Sequence, residues 1–154
     1  MTAPLAPVRL DHVELVRVTM PLVAPFTTSF GTQSTLDKLL VRVVADGHEG
    51  WGECGAPSAP VYSEEYVAGA AHVLDNHLVP PLAASPAISA EQVADVLAPI
   101  RGHRMAKAAV EMALLDVQLR SANRSLADHL GAVRDRVPAG VSLGIPAGGA
   151  AELI

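Results

Sequence analysis

Apolar and polar positions alternate along the first third of this chain in a way that suits half-buried strands. Residues 13–20 (Val, Glu, Leu, Val, Arg, Val, Thr, Met) mix β-formers with polar interruptions. Residues 36–45 are dense in Leu and Val, and Asp46-Gly47 follows with the chemistry of a turn that needs φ > 0. Residues 49–54, Glu-Gly-Trp-Gly-Glu-Cys, complete a three-stranded antiparallel meander. Between the first two strands lies the segment 20–31, with Pro21 and Pro25 and the chain's only two phenylalanines, Phe26 and Phe30. Two prolines argue against a regular central strand or a helix interior, and Val23, Phe26 and Phe30 are too apolar for an idle solvent loop. The segment reads as a loop that closes over something, an apolar lid with hydroxyls at Thr27, Thr28 and Ser29.

The period then changes to that of helices. After a Pro- and Ala-rich loop, Ser63 is placed to cap a helix carrying Glu64 and Glu65 in its first turn, and Pro80-Pro81 to stop it. Ser89-Ala-Glu-Gln92 is a capping box for a second helix running to about Ala98. Ala106, Ala109, Val110, Ala113, Leu114 and Val117 recur at three and four residue spacing, predicting a long amphipathic helix over 104–122 after a break at Gly102. Its alanine-rich face suits close packing. Residues 125–130 predict one more short helix, ended by Gly131 in the left-handed region. Residues 137–145 hold no charge, the composition of a strand covered on both faces, and 150–154 read as the first turn of a helix.

Composition narrows the function classes. With 154 residues, half of them apolar, the chain has the material for a real core. A net charge of -5 and a pI near 5.6, with no Lys/Arg cluster, give nucleic acid nothing to hold. Every apolar run is broken before the roughly 18 residues of a spanning helix, so no membrane partner is expected. A single cysteine, Cys54, makes no internal disulfide, which fits a reducing cytoplasm.

Few residues suggest chemistry on their own. The six histidines form no cluster in sequence, and His72 and His77, five apart, miss the i, i+4 spacing of a helical metal pair. Glu53 reads as a carboxylate holding a strand end, and Cys54 as a small buried apolar residue. Glu111 and Asp116 lie on different helix faces; Arg104 and Lys107 are positioned to neutralise them, Lys107 with Glu111 for example. Gly50 and Gly52 are followed by neither Lys-Ser/Thr nor a helix, so they open no phosphate loop.

Three motifs together resemble a known family. The segment 25–34, Pro-Phe-Thr-Thr-Ser-Phe-Gly-Thr-Gln-Ser, the strand Gly50-Trp51-Gly52-Glu53-Cys54, and the run Gly-His-Arg-Met-Ala-Lys-Ala-Ala-Val-Glu-Met-Ala-Leu-Leu-Asp over 102–116 are similar to the enolase superfamily, and within it to the o-succinylbenzoate synthase and N-acylamino acid racemase group. The resemblance implies an α+β fold, a three-stranded antiparallel meander plus helices forming an N-terminal capping domain (residues 8–131), then the first strand and start of an incomplete (β/α) barrel (132–154). It implies Mg²⁺ or another divalent metal in the parent enzyme, none of it bound by this chain alone, and catalytic lysines and metal carboxylates on later barrel strands. No catalytic residue and no metal ligand is expected here, since Lys38 and Lys107 do not match the Lys-x-Lys arrangement.

What the resemblance carries over is a substrate-binding role: Phe26 and Phe30 on the first cap loop, Pro57 and Tyr62 on a second loop over 55–62, and Ser142 on the first barrel strand. Implied partners are a small carboxylate substrate, the rest of the barrel or another subunit, and further copies in a homo-oligomer. The chain alone is expected to be inactive. A dipeptide epimerase or muconate cycloisomerase fragment, and a stand-alone interaction module, remain the alternatives.

Overall fold

The computed structural model describes residues 3–146, 148, 149 and 151. Three strands, β1 (Leu10–Thr28), β2 (Gly31–Ala45) and β3 (His48–Cys54), form an antiparallel sheet in the order β1-β2-β3. Asp46 and Gly47 join β2 to β3 with φ of 49° and 78°, so both turn residues occupy the left-handed region that a two-residue hairpin of this twist requires. The helices follow: α1 (Val67–Val73), a π-helical turn (Leu74–Leu78), α2 (Val79–Ala83), α3 (Ala90–Val96), α4 (Arg104–Ser121) and α5 (Leu126–Leu130).

One seam organises the core. Leu39, Val41, Val43 and Ala45 alternate inward along β2 and are fully or almost fully buried, facing Ala106, Ala109, Val110, Ala113, Leu114 and Val117 of α4. Each buried Val or Leu contributes about 1.5–3 kcal/mol by leaving water. On β3 the inward positions are Gly50, Gly52 and Cys54. A Cβ on Gly52 would stand 1.9 Å from the Ala109 carbonyl oxygen, and one on Gly50 2.4 Å from both the Ala113 oxygen and the Val117 nitrogen. The Gly-Trp-Gly motif is therefore a packing device: it lets the α4 backbone lie directly on the strand. Asp116 fastens the same seam from outside, accepting the Trp51 amide at 3.0 Å while Arg120 Nε donates to it at 3.0 Å. On the solvent face Arg42 bridges Glu14 and Glu49 and lies over the Trp51 ring at 5.8 Å.

Most expected elements form, and the departures have physical reasons. The segment 20–31 is a β-hairpin rather than an irregular loop: β1 runs on to Thr28 and pairs with β2 to the tip, Thr28 opposite Gly31. Its prolines are tolerated because β1 is an edge strand and because residues 22–25 bulge out between the Pro21/Thr35 and Phe26/Gln33 pairs. Ser63 does not cap α1, which starts at Val67 after Tyr66. Its hydroxyl donates to the Glu65 carbonyl oxygen, and Glu65 itself turns away to serve α4. Pro80-Pro81 do not stop the helix. A π-turn precedes them, closed by the Val79 amide on the Leu74 carbonyl, and both prolines then fall in the first turn of α2, where no intrahelical donor is needed.

The Ser89 capping box closes as expected, the Ser89 amide donating to Gln92 Oε1 at 2.9 Å. Ser125 Oγ accepts the Asp128 amide at the start of α5, and Gly131, φ 68°, ends it. Lys107 does not pair with Glu111: its Nζ donates to the carbonyls of Leu97 and Ile100, just past α3, and so ties that segment to α4. Residues 137–145 form no strand here, with Val137, Val141 and Leu143 largely exposed. An uncharged strand of that kind depends on flanking strands on both sides, and the meander offers it only the rim of β1, where the Ile145 amide reaches the Thr27 carbonyl at 2.8 Å. The helical turn expected over 150–154 lies almost wholly outside the described residues.

Candidate functional site: a cleft between the hairpin tip and the 57–62 loop

The hairpin tip is shaped locally. Thr28 Oγ1 accepts the Phe30 amide at 3.2 Å and donates to the Gly31 carbonyl at 3.3 Å, pinning the two-residue turn. Gly31 has φ 136°, a conformation that L side chains rarely adopt. Thr27 and Thr32 pair across the strands through their hydroxyls at 2.9 Å. Together these bonds hold Phe30 at the end of the ribbon with 65% of its surface exposed.

The opposing loop is tied at both ends. Cys54 is fully buried at the end of β3, its thiol pKa raised chiefly by burial, which leaves it a core residue and no nucleophile. At the far end the Val67 amide donates to the Pro57 carbonyl at 2.8 Å, closing the loop on itself. Between them Glu65, only 6% exposed, accepts the Met105 amide at 3.0 and 3.1 Å and the Ala106 amide at 3.1 Å. A carboxylate there faces the positive end of α4 and meets donors that have no partner within the helix. The loop is thus anchored to the longest helix of the fold.

The two elements enclose a cleft of about 470 Å³ lined by Thr28, Phe30, Gly31, Thr32 and Gln33 on one side and Pro57, Ser58, Val61 and Tyr62 on the other. Phe30 and Tyr62 meet edge to face across it, centroids 5.2 Å apart at 80°. Such a pair contributes roughly 0.5–1.5 kcal/mol beyond burial. A smaller space of about 190 Å³ continues past Gln33, Pro57 and Ser58 toward Thr35, Asp37 and Lys38. Its charges are already engaged: Lys38 pairs with Glu53 at 2.9 Å, and Asp37 with Arg17, which together with Thr19 holds the Asp37 carboxyl below its ordinary pKa. Glu53 accordingly holds the strand end, as its position in sequence suggests.

The structure brings Phe30, Pro57 and Tyr62 together in one cleft. Phe26 and Ser142 lie elsewhere: the Phe26 ring is met by the backbone at Gly144, where a Cβ would stand 3.0 Å from Cδ2, and Ser142 is exposed two residues earlier. Thr28, whose hydroxyl was expected on the lid, completes the walls with Thr32, Gln33, Ser58 and Val61, which the sequence does not mark individually as lining residues. Thr28 and Gln33 follow once the hairpin register is known, a register that the bulge at 22–25 conceals. The lining offers hydroxyls, one amide and apolar surface, with no carboxylate, imidazole, thiol or amine. Such a set is suited to orienting a small molecule and excluding water. It does not fit a divalent metal of the Mg²⁺ kind, which wants carboxylate oxygens.

The family described as mandelate racemase / muconate lactonizing enzyme, N-terminal domain, matches residues 11–131. An N-succinylamino acid racemase of Amycolatopsis is 57% identical over 137 residues, covering 89% of this chain and 37% of that protein. An o-succinylbenzoate synthase of Geobacillus kaustophilus is 42% identical over 139 residues, 90% of this chain and 37% of that protein. The crystal structure of a member of the enolase superfamily from Listeria innocua superposes with a TM-score of 0.78 at 33% identity, covering 82% of this chain and 34% of that one. The chain spans little more than a third of the length of these relatives. From its three-stranded sheet to the capped α5, this chain belongs to the N-terminal domain family of mandelate racemase and muconate lactonizing enzymes, in the enolase superfamily.

Proposed function

We propose that this chain is the substrate-capping domain, residues 8–131, of an enolase-superfamily enzyme that acts as an o-succinylbenzoate synthase, an N-acylamino acid racemase, or both. The observation that carries the reading is the Phe30–Tyr62 contact across an apolar cleft whose walls hold no carboxylate, imidazole, thiol or amine. A wall of this kind selects and shields a substrate while chemistry is done by residues facing it. The names of both relatives share a succinyl group, so the substrate class is a small succinylated carboxylate. Its apolar portion, the ring or amino-acid side chain, packs against Phe30, Val61 and Tyr62; Thr28, Gln33 and Ser58 supply hydrogen bonds at the rim.

In this reading residues 132–154 begin the barrel, and the remainder supplies the lysines and the ligands for Mg²⁺. Val137, Val141 and Leu143 then gain the neighbours they lack, with Ser142 at the edge of the substrate space. Phe26, on the hairpin below Phe30, serves as an outer aromatic wall. The parent works in the cytoplasm as a homo-oligomer, and as a synthase would serve menaquinone biosynthesis.

The test is to express this chain together with the proposed barrel and assay both reactions with Mg²⁺. Racemisation of N-succinylamino acids, formation of o-succinylbenzoate, or both is the expected result. Activity on neither substrate, from a folded protein, would overturn the subgroup assignment.

A further inference from the structure

The π-helical turn at Leu74–Leu78 has a consequence on its exposed face. In a regular α-helix a spacing of five turns side chains about 140° apart, but a π-turn spreads one revolution over more residues and brings i and i+5 closer to one face. His72 and His77 have that spacing, and their rings meet edge to face with centroids 6.0 Å apart. Both imidazoles are exposed, as are Asp75 and Asn76 between them. From the juxtaposition of His72 and His77 across the π-turn we propose a two-histidine site for a borderline divalent transition-metal ion, Zn²⁺ or Ni²⁺ in class.

The geometry is within reach. A metal about 2.0–2.1 Å from one nitrogen of each ring holds the two centroids about 5.2 Å apart at a tetrahedral angle, so rings now 6.0 Å apart and edge to face must close by about 1 Å and turn one nitrogen each toward the ion, which exposed side chains can do. Imidazole nitrogen is the donor that suits Zn²⁺, Ni²⁺ and Cu²⁺, whereas Mg²⁺ and Ca²⁺ prefer oxygen. This site is therefore distinct in chemistry from the metal of the proposed parent reaction. Asn76 Nδ2 donates to the His72 carbonyl at 2.8 Å and lies 3.3 Å from His72 Nδ1, a ring contact that His72 gives up when it turns to bind the ion. Asp75 adds a carboxylate to the same turn. Among the described residues no group of three or more His, Cys, Asp or Glu side chains is placed to hold a metal, so the ion takes two protein nitrogens and completes its shell with water. Such a site is exchangeable, and binding reinforces the π-turn by stabilising the folded state.

The full chain is titrated with ZnCl₂ and, separately, NiCl₂ by calorimetry, and the histidine ring signals are followed by NMR. One saturable equivalent is expected, with the His72 and His77 signals shifted by Zn²⁺ and broadened by Ni²⁺. His72→Ala and His77→Ala should each weaken binding at least about tenfold, and Zn²⁺ should raise the Tm of the wild type but not of the double variant. His48→Ala should change none of this. Absence of saturable binding, or one equivalent retained by the double variant, would overturn the site.

Discussion

Two contacts in this chain bring a strand region against an opposing element, and they are built on opposite terms. Along β3 the contact with α4 is backbone on backbone: Gly50 and Gly52 are reduced to hydrogen so that Ala109 and Ala113 can sit on the strand, and Asp116 ties the edge. At the hairpin tip the contact is ring on ring, Phe30 against Tyr62, with about two thirds or more of each residue in solvent. The seam has no spare volume and no tolerance for a methyl group. The cleft has about 470 Å³ of open space and apolar side chains that gain little by standing where they do. Packing explains the first region; the second has the open, apolar form that the proposed substrate-capping role calls for.

The comparison breaks first at the seam. Gly52→Ala drives a methyl group into the Ala109 carbonyl and should cost about 3 kcal/mol or more, read as a fall in the urea midpoint. A loss below about 1 kcal/mol would mean that α4 lifts easily from β3. Next comes the tie between the regions. Glu65→Ala strips the α4 amides of a buried charged acceptor and should cost about 2 kcal/mol, with Glu65→Gln recovering part of it. Proton exchange at the Met105 and Ala106 amides should quicken in the alanine variant.

At the cleft the expected effects on stability are smaller. Phe30→Ala removes one exposed ring and one edge-to-face contact and should change stability by less than about 1 kcal/mol. Smallest is the response to acid of the solvent-facing charges. Arg42 lowers the pKa of Glu49, as Arg17 does for Asp37. A carboxylate depressed in the folded state binds fewer protons than its unfolded counterpart, so its stabilisation is present above the ordinary carboxylate range and is lost as pH falls through the folded pKa. Arg42→Gln and Arg17→Gln should flatten the fall of the melting temperature below pH 4 by lowering it slightly at pH 7, where the carboxylates are charged, with wild type and variants converging in acid.

The seam and the cleft also differ in how far they could be read from sequence. The α4 stripe and the Asp46-Gly47 turn announce themselves because period and turn chemistry are local properties. The capped ends of α3 and α5 are legible for the same reason. Gly50 and Gly52 were visible as glycines but not as a packing surface, since what they make room for lies more than fifty residues away. Glu65 looked like a first-turn carboxylate of its own helix; its partners are the amides of Met105 and Ala106, forty residues on. Pro80-Pro81 looked like a stop because a π-turn leaves no pattern in side-chain polarity. The site was half legible: Phe30, Pro57 and Tyr62 were singled out and do converge, while Phe26 turned out to meet Gly144. A three-residue excess in the 22–25 bulge decides where each residue of the hairpin points, and nothing in composition sets its length.

The proposed division of labour between a selecting wall here and chemistry elsewhere is tested most directly by steady-state kinetics of Phe30→Ala in the proposed full-length enzyme. A residue that holds the apolar part of the substrate should raise KM by about tenfold and leave kcat within about threefold of wild type. A fall in kcat of about a thousandfold at unchanged KM would place Phe30 in the chemical step and contradict the account.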